Sequence, residues 1–140
     1  MKTDVIEQLI KEALRARNFS YSPYSHYQVG AALLAKDGSI YMGCNIENAA
    51  YSPTNCAERT AFFKAVSEGK SEFCAIAIVG GPADAGITQY AYPCGVCRQV
   101  MMEFCNLKTF QIIVAKSVAE YEVRTLEELL PDGFGAANLE

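Results

Sequence analysis

Apolar positions near the start of the chain recur with the step of a helix. Ile6, Leu9, Ile10, Ala13 and Leu14 fall on one stripe of a segment running from about 4 to 17, the spacing of a helix that packs on a sheet. Asp4 and Glu7 are its candidate capping pair. The period then changes: "YSPYSHYQVGAALLAKDGSIYMGCNIE" holds two β-rich runs joined around Asp37-Gly38. That dipeptide is the strongest hairpin signal in the chain, and it predicts strands near 27–35 and 39–45. A second helix is expected from Cys56 to about Glu68, with Asn55 as its N-cap, Glu58 three residues on and Gly69 as its stop. "FCAIAIVGG" is apolar almost throughout, as in a strand with parallel neighbours and both faces covered. After the loop "GPADAGITQYAY", Pro93 stands before a third helix running from Cys94 to about Cys105. "TFQIIVA" and "YEVR" predict two last strands, and Thr125 with Glu128 caps a short helix closed by Pro131. The order αββαβαββα predicts an α/β fold, one sheet with helices on both faces. No repeat or linker divides it, so residues 1–140 are expected to form one domain.

Composition narrows the function. Hydrophobic residues make up 51% of the chain and charged residues 20%, enough for one buried core. No apolar run approaches the ~20 residues of a membrane span, and "MKTDVIEQLIKEAL" lacks the apolar stretch of a secretory leader, so a cytoplasmic protein is expected. The formal charge is −4 and no segment gathers a run of basic residues, which argues against a protein that neutralises polynucleotide phosphates. A small, uncharged substrate is the expectation.

Six cysteines in a reducing compartment point to free thiols or metal ligation rather than disulfides. Cys94 and Cys97 are three apart, so both sulfurs can face one centre, and Cys56 at another helix start can supply a third. A helix N-terminus favours the thiolate that binds metal. Zinc is the natural occupant, and three protein ligands with the fourth place left to water is its catalytic arrangement. Three thiolates around Zn²⁺ leave a net negative charge that blunts the acidity of that water. Arg59, three residues from Cys56, and Arg98, four from Cys94, are the candidates to donate to a ligand sulfur and offset it. Glu58 is then free to hold and move protons. C-x-x-C alone also fits a redox dithiol or half of a structural zinc knuckle. A structural site would need a fourth ligand from Cys44, Cys74, Cys105 or His26. Cys74 and Cys105 lie in apolar runs as small hydrophobes do, and His26 sits in a polar loop.

Together "NCAERTA", "PCGVCRQV", "GCNIENAAYS" and "YSPYSHYQVGAALL" resemble zinc-dependent cytidine deaminase of the small homotetrameric type, over about residues 4–135. The resemblance implies a three-layer α-β-α fold with a five-stranded mixed sheet, and one zinc per chain on Cys56, Cys94 and Cys97. It implies that Glu58 carries the proton while zinc-bound hydroxide attacks C4 of cytidine or deoxycytidine, releasing ammonia in pyrimidine salvage. Cysteine rather than histidine at position 56 resembles the nucleoside enzymes, which favours a free nucleoside. By the same resemblance Asn45 and Glu47 grip the ribose 3′-hydroxyl, Tyr27 stacks on the base where the family often has Phe, and Ala57 joins the substrate-binding set. Phe134 matches an aromatic inserted into a neighbouring subunit's site, so a homotetramer with shared active sites is implied. A deaminase of another aminopyrimidine nucleoside, such as a cytosine nucleoside antibiotic, is the alternative reading.

Overall fold

The computed structural model describes residues 1–140. In chain order the elements are α1 (Thr3–Arg17), β1 (Tyr27–Ala35), β2 (Ile40–Cys44), α2 (Ala57–Ser67), β3 (Phe73–Pro82), α3 (Gly95–Phe104), β4 (Gln111–Ser117), β5 (Glu120–Thr125) and α4 (Leu126–Leu129). A 3₁₀ turn, Ala136–Leu139, follows them. The five strands form one sheet in the order β2-β1-β3-β4-β5. Only β3 and β4 run parallel, joined by the crossover through α3. The other pairs are antiparallel. The apolar character of β3 therefore reflects coverage of both faces, since just one of its two neighbours is parallel.

Strand alternation sorts the core into two layers. Ala31, Leu33, Ile76, Ile78, Ile112 and Val114 face Ala61 and Phe62 of α2, Met101 of α3 and Leu126 of α4. Ala32, Ala75, Ala77, Val79 and Ile113 face the opposite way, against Ile6, Leu9, Ile10 and Ala13 of α1. The helical stripe read from the sequence is thus the face that α1 lays on the sheet. Each fully buried Leu, Ile or Phe contributes about 1.5–3 kcal/mol, and Phe62 anchors its layer by edge contact with Phe73 at 5.1 Å between ring centroids.

Helix starts differ from expectation. Lys2 is the N-cap of α1 without a side-chain cap, and Asp4 accepts from its neighbour Val5 N–H, so the Asp4/Glu7 pair does not form. α2 begins at Ala57 with Cys56 as N-cap, and α3 at Gly95 with Cys94 as N-cap. The Asn55 amide donates instead to Thr60 Oγ1. Only the capping box of Thr125 and Glu128 matches its sequence signal.

Two glycines set how closely the helices approach the sheet. A Cβ on Gly30 of β1 would lie 2.0 Å from the Ala13 carbonyl oxygen of α1, and one on Gly43 of β2 would lie 2.3 Å from that of Ala57 at the start of α2. Backbone meets backbone at both places, so nothing flexible can yield. Gly43→Ala is expected to lower stability by about 3 kcal/mol, the upper range for overpacking, as read from the urea midpoint. Gly86→Ala, which meets open space, should stay within about 0.5 kcal/mol of the parent. Equal midpoints for the two variants would disprove the close-packing account.

Candidate metal centre and pocket

Cys56 and Cys94 sit in extended backbone immediately before their helices, and neither side chain caps its own helix. Each sulfur is therefore free to meet another partner over a helix N-terminus. Cys97 lies one turn into α3 and is fully buried. The result is a cluster in which the Cys56 and Cys94 sulfurs are 3.8 Å apart, Cys94 and Cys97 are 3.5 Å apart, and all three lie within 4.8 Å of one another. No histidine, acid or fourth cysteine joins the set. Tetrahedral zinc–thiolate bonds of about 2.3 Å require sulfurs about 3.8 Å apart, so the donor type, number and spacing fit zinc with one place left for a non-protein ligand.

The electrostatics already favour negative charge there. Arg59 donates from Nη2 to Cys56 Sγ at 3.3 Å. Hydrogen bonding from Cys97, together with Arg59, pulls the Cys56 thiol down to about 5 against the resistance of burial. Cys97 is pushed up by its bond to Cys56 and by burial. The two sulfurs therefore titrate as one pair rather than independently. The Nε of Arg59 is buried without a hydrogen-bond partner, so its guanidinium is committed to this centre by charge rather than by a full set of hydrogen bonds. Arg98 does not serve a sulfur. Its Nε donates to Pro93 O at 2.7 Å and its Nη1 to Leu129 O at 2.7 Å, so it fixes the approach to Cys94 against the end of α4.

Beside the sulfurs a cavity of about 500 Å³ is lined by Tyr27, Asn45, Glu47, Cys56, Ala57, Glu58 and Cys94, among others. Glu58 is only 4% exposed. Burial pushes its carboxyl up to about 7, and the nearby Cys56 charge acts in the same direction. Asn45 is buried and heavily engaged: Nδ2 donates to Tyr27 O, while Oδ1 accepts from Val29 N–H and the Ser20 hydroxyl. Glu47 accepts from Tyr24 N–H at 3.0 Å, Ser25 N–H at 3.1 Å and the Ser25 hydroxyl. The Ser25 hydroxyl bond leads in holding its carboxyl below the usual range. Phe134 stands outside this cavity, 57% exposed, with its carbonyl held by Gln99 at 2.9 Å. A larger groove, about 670 Å³, lies elsewhere between Val5, Leu34 and Phe104 and includes none of the metal or substrate candidates. Tyr90 and Tyr92 line the smaller cavity too. The sequence reading left them in a connecting loop, although two tyrosines just before "PCGVC" were a legible signal.

Residues 3–114 match the family model described as the cytidine and deoxycytidylate deaminase zinc-binding region. The chain belongs to this family. It is 50% identical over 137 residues to a cytidine deaminase of Sporosarcina psychrophila, covering 96% of this chain and 94% of the relative. It is also 50% identical over 133 residues to a cytidine deaminase of Halalkalibacterium halodurans, covering 95% and 96% of the two chains. The crystal structure of a cytidine deaminase from Burkholderia pseudomallei superposes with a TM-score of 0.82 at 43% identity, over 91% of this chain and 97% of the other. The five-stranded α/β architecture is that of the family's solved structures, and the zinc-binding description agrees with the sulfur cluster. No helix is long and apolar enough to cross a membrane.

The buried carboxyl makes the metal-free fold pH-sensitive. Because Glu58 is raised from 4.5 to about 7 in the folded chain, its ionisation penalises folding progressively as pH rises from about 4.5 through about 7. Below that window the penalty is absent. In chelator-treated protein, Glu58→Gln should gain stability relative to the parent between pH 5 and pH 8, by at most about 3 kcal/mol. Urea midpoints at the two pH values measure it, and a difference that does not change with pH would rule it out.

Proposed function

We propose that the protein hydrolyses free cytidine and deoxycytidine to uridine and deoxyuridine with release of ammonia. The observation that carries this reading is the convergence of three sulfurs at the mouth of a cavity whose wall includes a buried, protonatable glutamate. Cys56, Cys94 and Cys97 hold zinc, and Arg59 offsets their charge through the Cys56 sulfur. Zinc bound there supplies a Lewis acid that makes water a usable nucleophile near neutral pH. Glu58, poised near 7 by burial, accepts the proton of the attacking water, places it on N3 of the pyrimidine, and then serves the departing 4-amino group. Ala57 is fully buried and lines the cavity, which puts its small side chain and backbone against the base. The Tyr27 ring offers a face for stacking.

Glu47 and Asn45 bind the sugar hydroxyls, and their orientation is set in advance by the bonds they already make. The family spans nucleoside and nucleotide deaminases, and the charge of the lining favours the first. It contains the carboxylates of Glu47 and Glu58 and no Lys, Arg or His. A 5′-phosphate, with about −2 charge near pH 7, would meet no counter-charge there. The six free cysteines suit a reducing cytoplasm.

The assay is ammonia release from cytidine alongside metal analysis. One zinc per chain is expected, with cytidine and deoxycytidine turned over and cytidine 5′-phosphate not. Glu58→Gln should keep its zinc and lose roughly 10²–10⁴-fold in turnover, the range for deleting a general acid/base. Unchanged turnover would remove Glu58 from its role.

Phe134, exposed on a single chain, reaches the cavity of a neighbouring copy in a homotetramer. Phe134→Ala should lower kcat/KM by about tenfold, as loss of a buried aromatic contact of about 1.4 kcal/mol does. Sedimentation should give four chains in the parent. A monomeric parent with full activity contradicts the shared site.

A further inference from the structure

One wall of the cavity belongs to a segment with unusually few ties to the body of the protein. Residues 86–92 make no backbone–backbone hydrogen bond, yet Tyr90, Ala91 and Tyr92 line the cavity beside Cys94. The only hydrogen bond that any side chain of the segment makes is from the Tyr92 hydroxyl to Glu122 Oε2 on β5, at 2.8 Å. Arg124 Nη2 donates to the same oxygen at 2.7 Å, so the acceptor is pinned by an ion pair before the tyrosine reaches it. The neighbouring Tyr90 ring carries the Lys116 ammonium of β4 at 4.7 Å from its centroid and meets Tyr92 edge-on at 6.4 Å. Both polar ties therefore run to the β4–β5 hairpin, which contributes nothing else to the cavity lining.

Ile87, Tyr90 and Ala91 pack against the core, so apolar contacts seat the segment and the polar ties fix where the more exposed Tyr92 ring stands. Hydrogen bonds to charged partners contribute more than neutral ones, so loss of this one matters more than its half-exposed position suggests. We propose that Tyr92 is a wall of the nucleoside pocket that sets substrate affinity, and that Glu122, fixed by Arg124, is the positioning residue that holds it. This rests on the nucleoside reading above. Tyr92 narrows the cavity by steric placement of its ring, and Glu122 acts only through Tyr92. The hairpin at the far edge of the sheet thereby sets affinity for the substrate without touching it.

The test uses the full-length zinc-loaded protein with Tyr92→Phe, Glu122→Ala, Glu122→Gln and the double variant Tyr92→Phe/Glu122→Ala. Steady-state kinetics with cytidine and the rate of chymotryptic cleavage after Tyr90 are the readouts. Tyr92→Phe and Glu122→Ala should each raise KM roughly three- to tenfold with kcat within about twofold, the range for one charge-assisted hydrogen bond. The double variant should be no worse than the more affected single one, because both remove the same bond. Glu122→Gln keeps an acceptor oxygen and should restore most of the affinity. Faster cleavage after Tyr90 should accompany each loss. Additive effects of the two substitutions, or an unchanged KM, would overturn the proposal. If the parent itself releases no ammonia from cytidine, the substrate reading fails separately. The cleavage data then decide the tie by themselves, and an unaltered cleavage rate in Tyr92→Phe overturns it.

Discussion

Three sulfurs within 4.8 Å of one another cannot all be thiolates unless something offsets their repulsion. Two like charges about 4 Å apart oppose each other by about 4 kcal/mol at the effective dielectric of a protein surface. In the metal-free chain the hydrogen bond between Cys97 and Cys56 eases the conflict by favouring negative charge on Cys56. A divalent cation held by Cys56, Cys94 and Cys97 would resolve it by offsetting the charge of all three, with Arg59 and the starts of α2 and α3 balancing the remainder. The constraint is geometric as much as electrostatic. Both helices must begin at one point on one side of the sheet, and the rest of the chain path follows from that.

The sheet supplies the common reference. β3 delivers the chain to the loop that precedes Cys94, and the parallel crossover through α3 to β4 keeps α3 on the same face as α2. α2 is seated by Gly43, where its first turn meets β2 backbone. Between β2 and α2 the chain folds back on itself, and Ile46 and Asn55 exchange two backbone hydrogen bonds at 2.9 Å. That bridge brings the Asn45–Glu47 stretch next to Cys56, so Asn45, Glu47 and Cys56 line one cavity although they lie about ten positions apart. The separation of the two faces also places α1 far from the chemistry, where it serves the core.

Elements with a strong period or a specific cap were legible in the sequence. The α1 stripe, the Asp37-Gly38 hairpin, the β3 run and the Thr125/Glu128 box all correspond to observed elements within a residue or two. The helix starts that carry cysteine were displaced by one position, since Cys56 and Cys94 are caps rather than first helical residues. A sulfur is a weak hydrogen-bond acceptor, so propensity rules written for oxygen caps assigned the role to Asn55. The pairing of Cys94 with Cys97 was legible from spacing because i,i+3 geometry is local, whereas Cys56, 38 residues before Cys94, meets them only through the way α2 and α3 pack on the sheet. The partner of Arg98 was not, because Leu129 lies 31 residues away and its carbonyl is freed only by where α4 ends. Tyr92 escaped for the same reason: its partner, Glu122, is set by sheet order, which no local pattern contains.

The preset bonds of Glu47 explain how a short surface turn can present a fixed carboxylate to the cavity. Its carboxylate receives two backbone N–H groups and one hydroxyl from residues 24 and 25 before any substrate arrives. Those donors keep it ionised and fix its plane, so little side-chain entropy is lost when a ligand hydroxyl is added. The turn that presents them closes with His26 in the left-handed region at φ 55°, a conformation that costs about 1 kcal/mol for a residue with a Cβ. The strain is held by His26 N–H to Ser22 O at 3.0 Å and by Ala83 N–H to His26 O at 2.8 Å. The second of these bonds ties the turn to the end of β3. A carboxylate held this firmly keeps its plane and position whether or not a ligand is present, so the turn offers the cavity a fixed acceptor rather than one that must be ordered on binding.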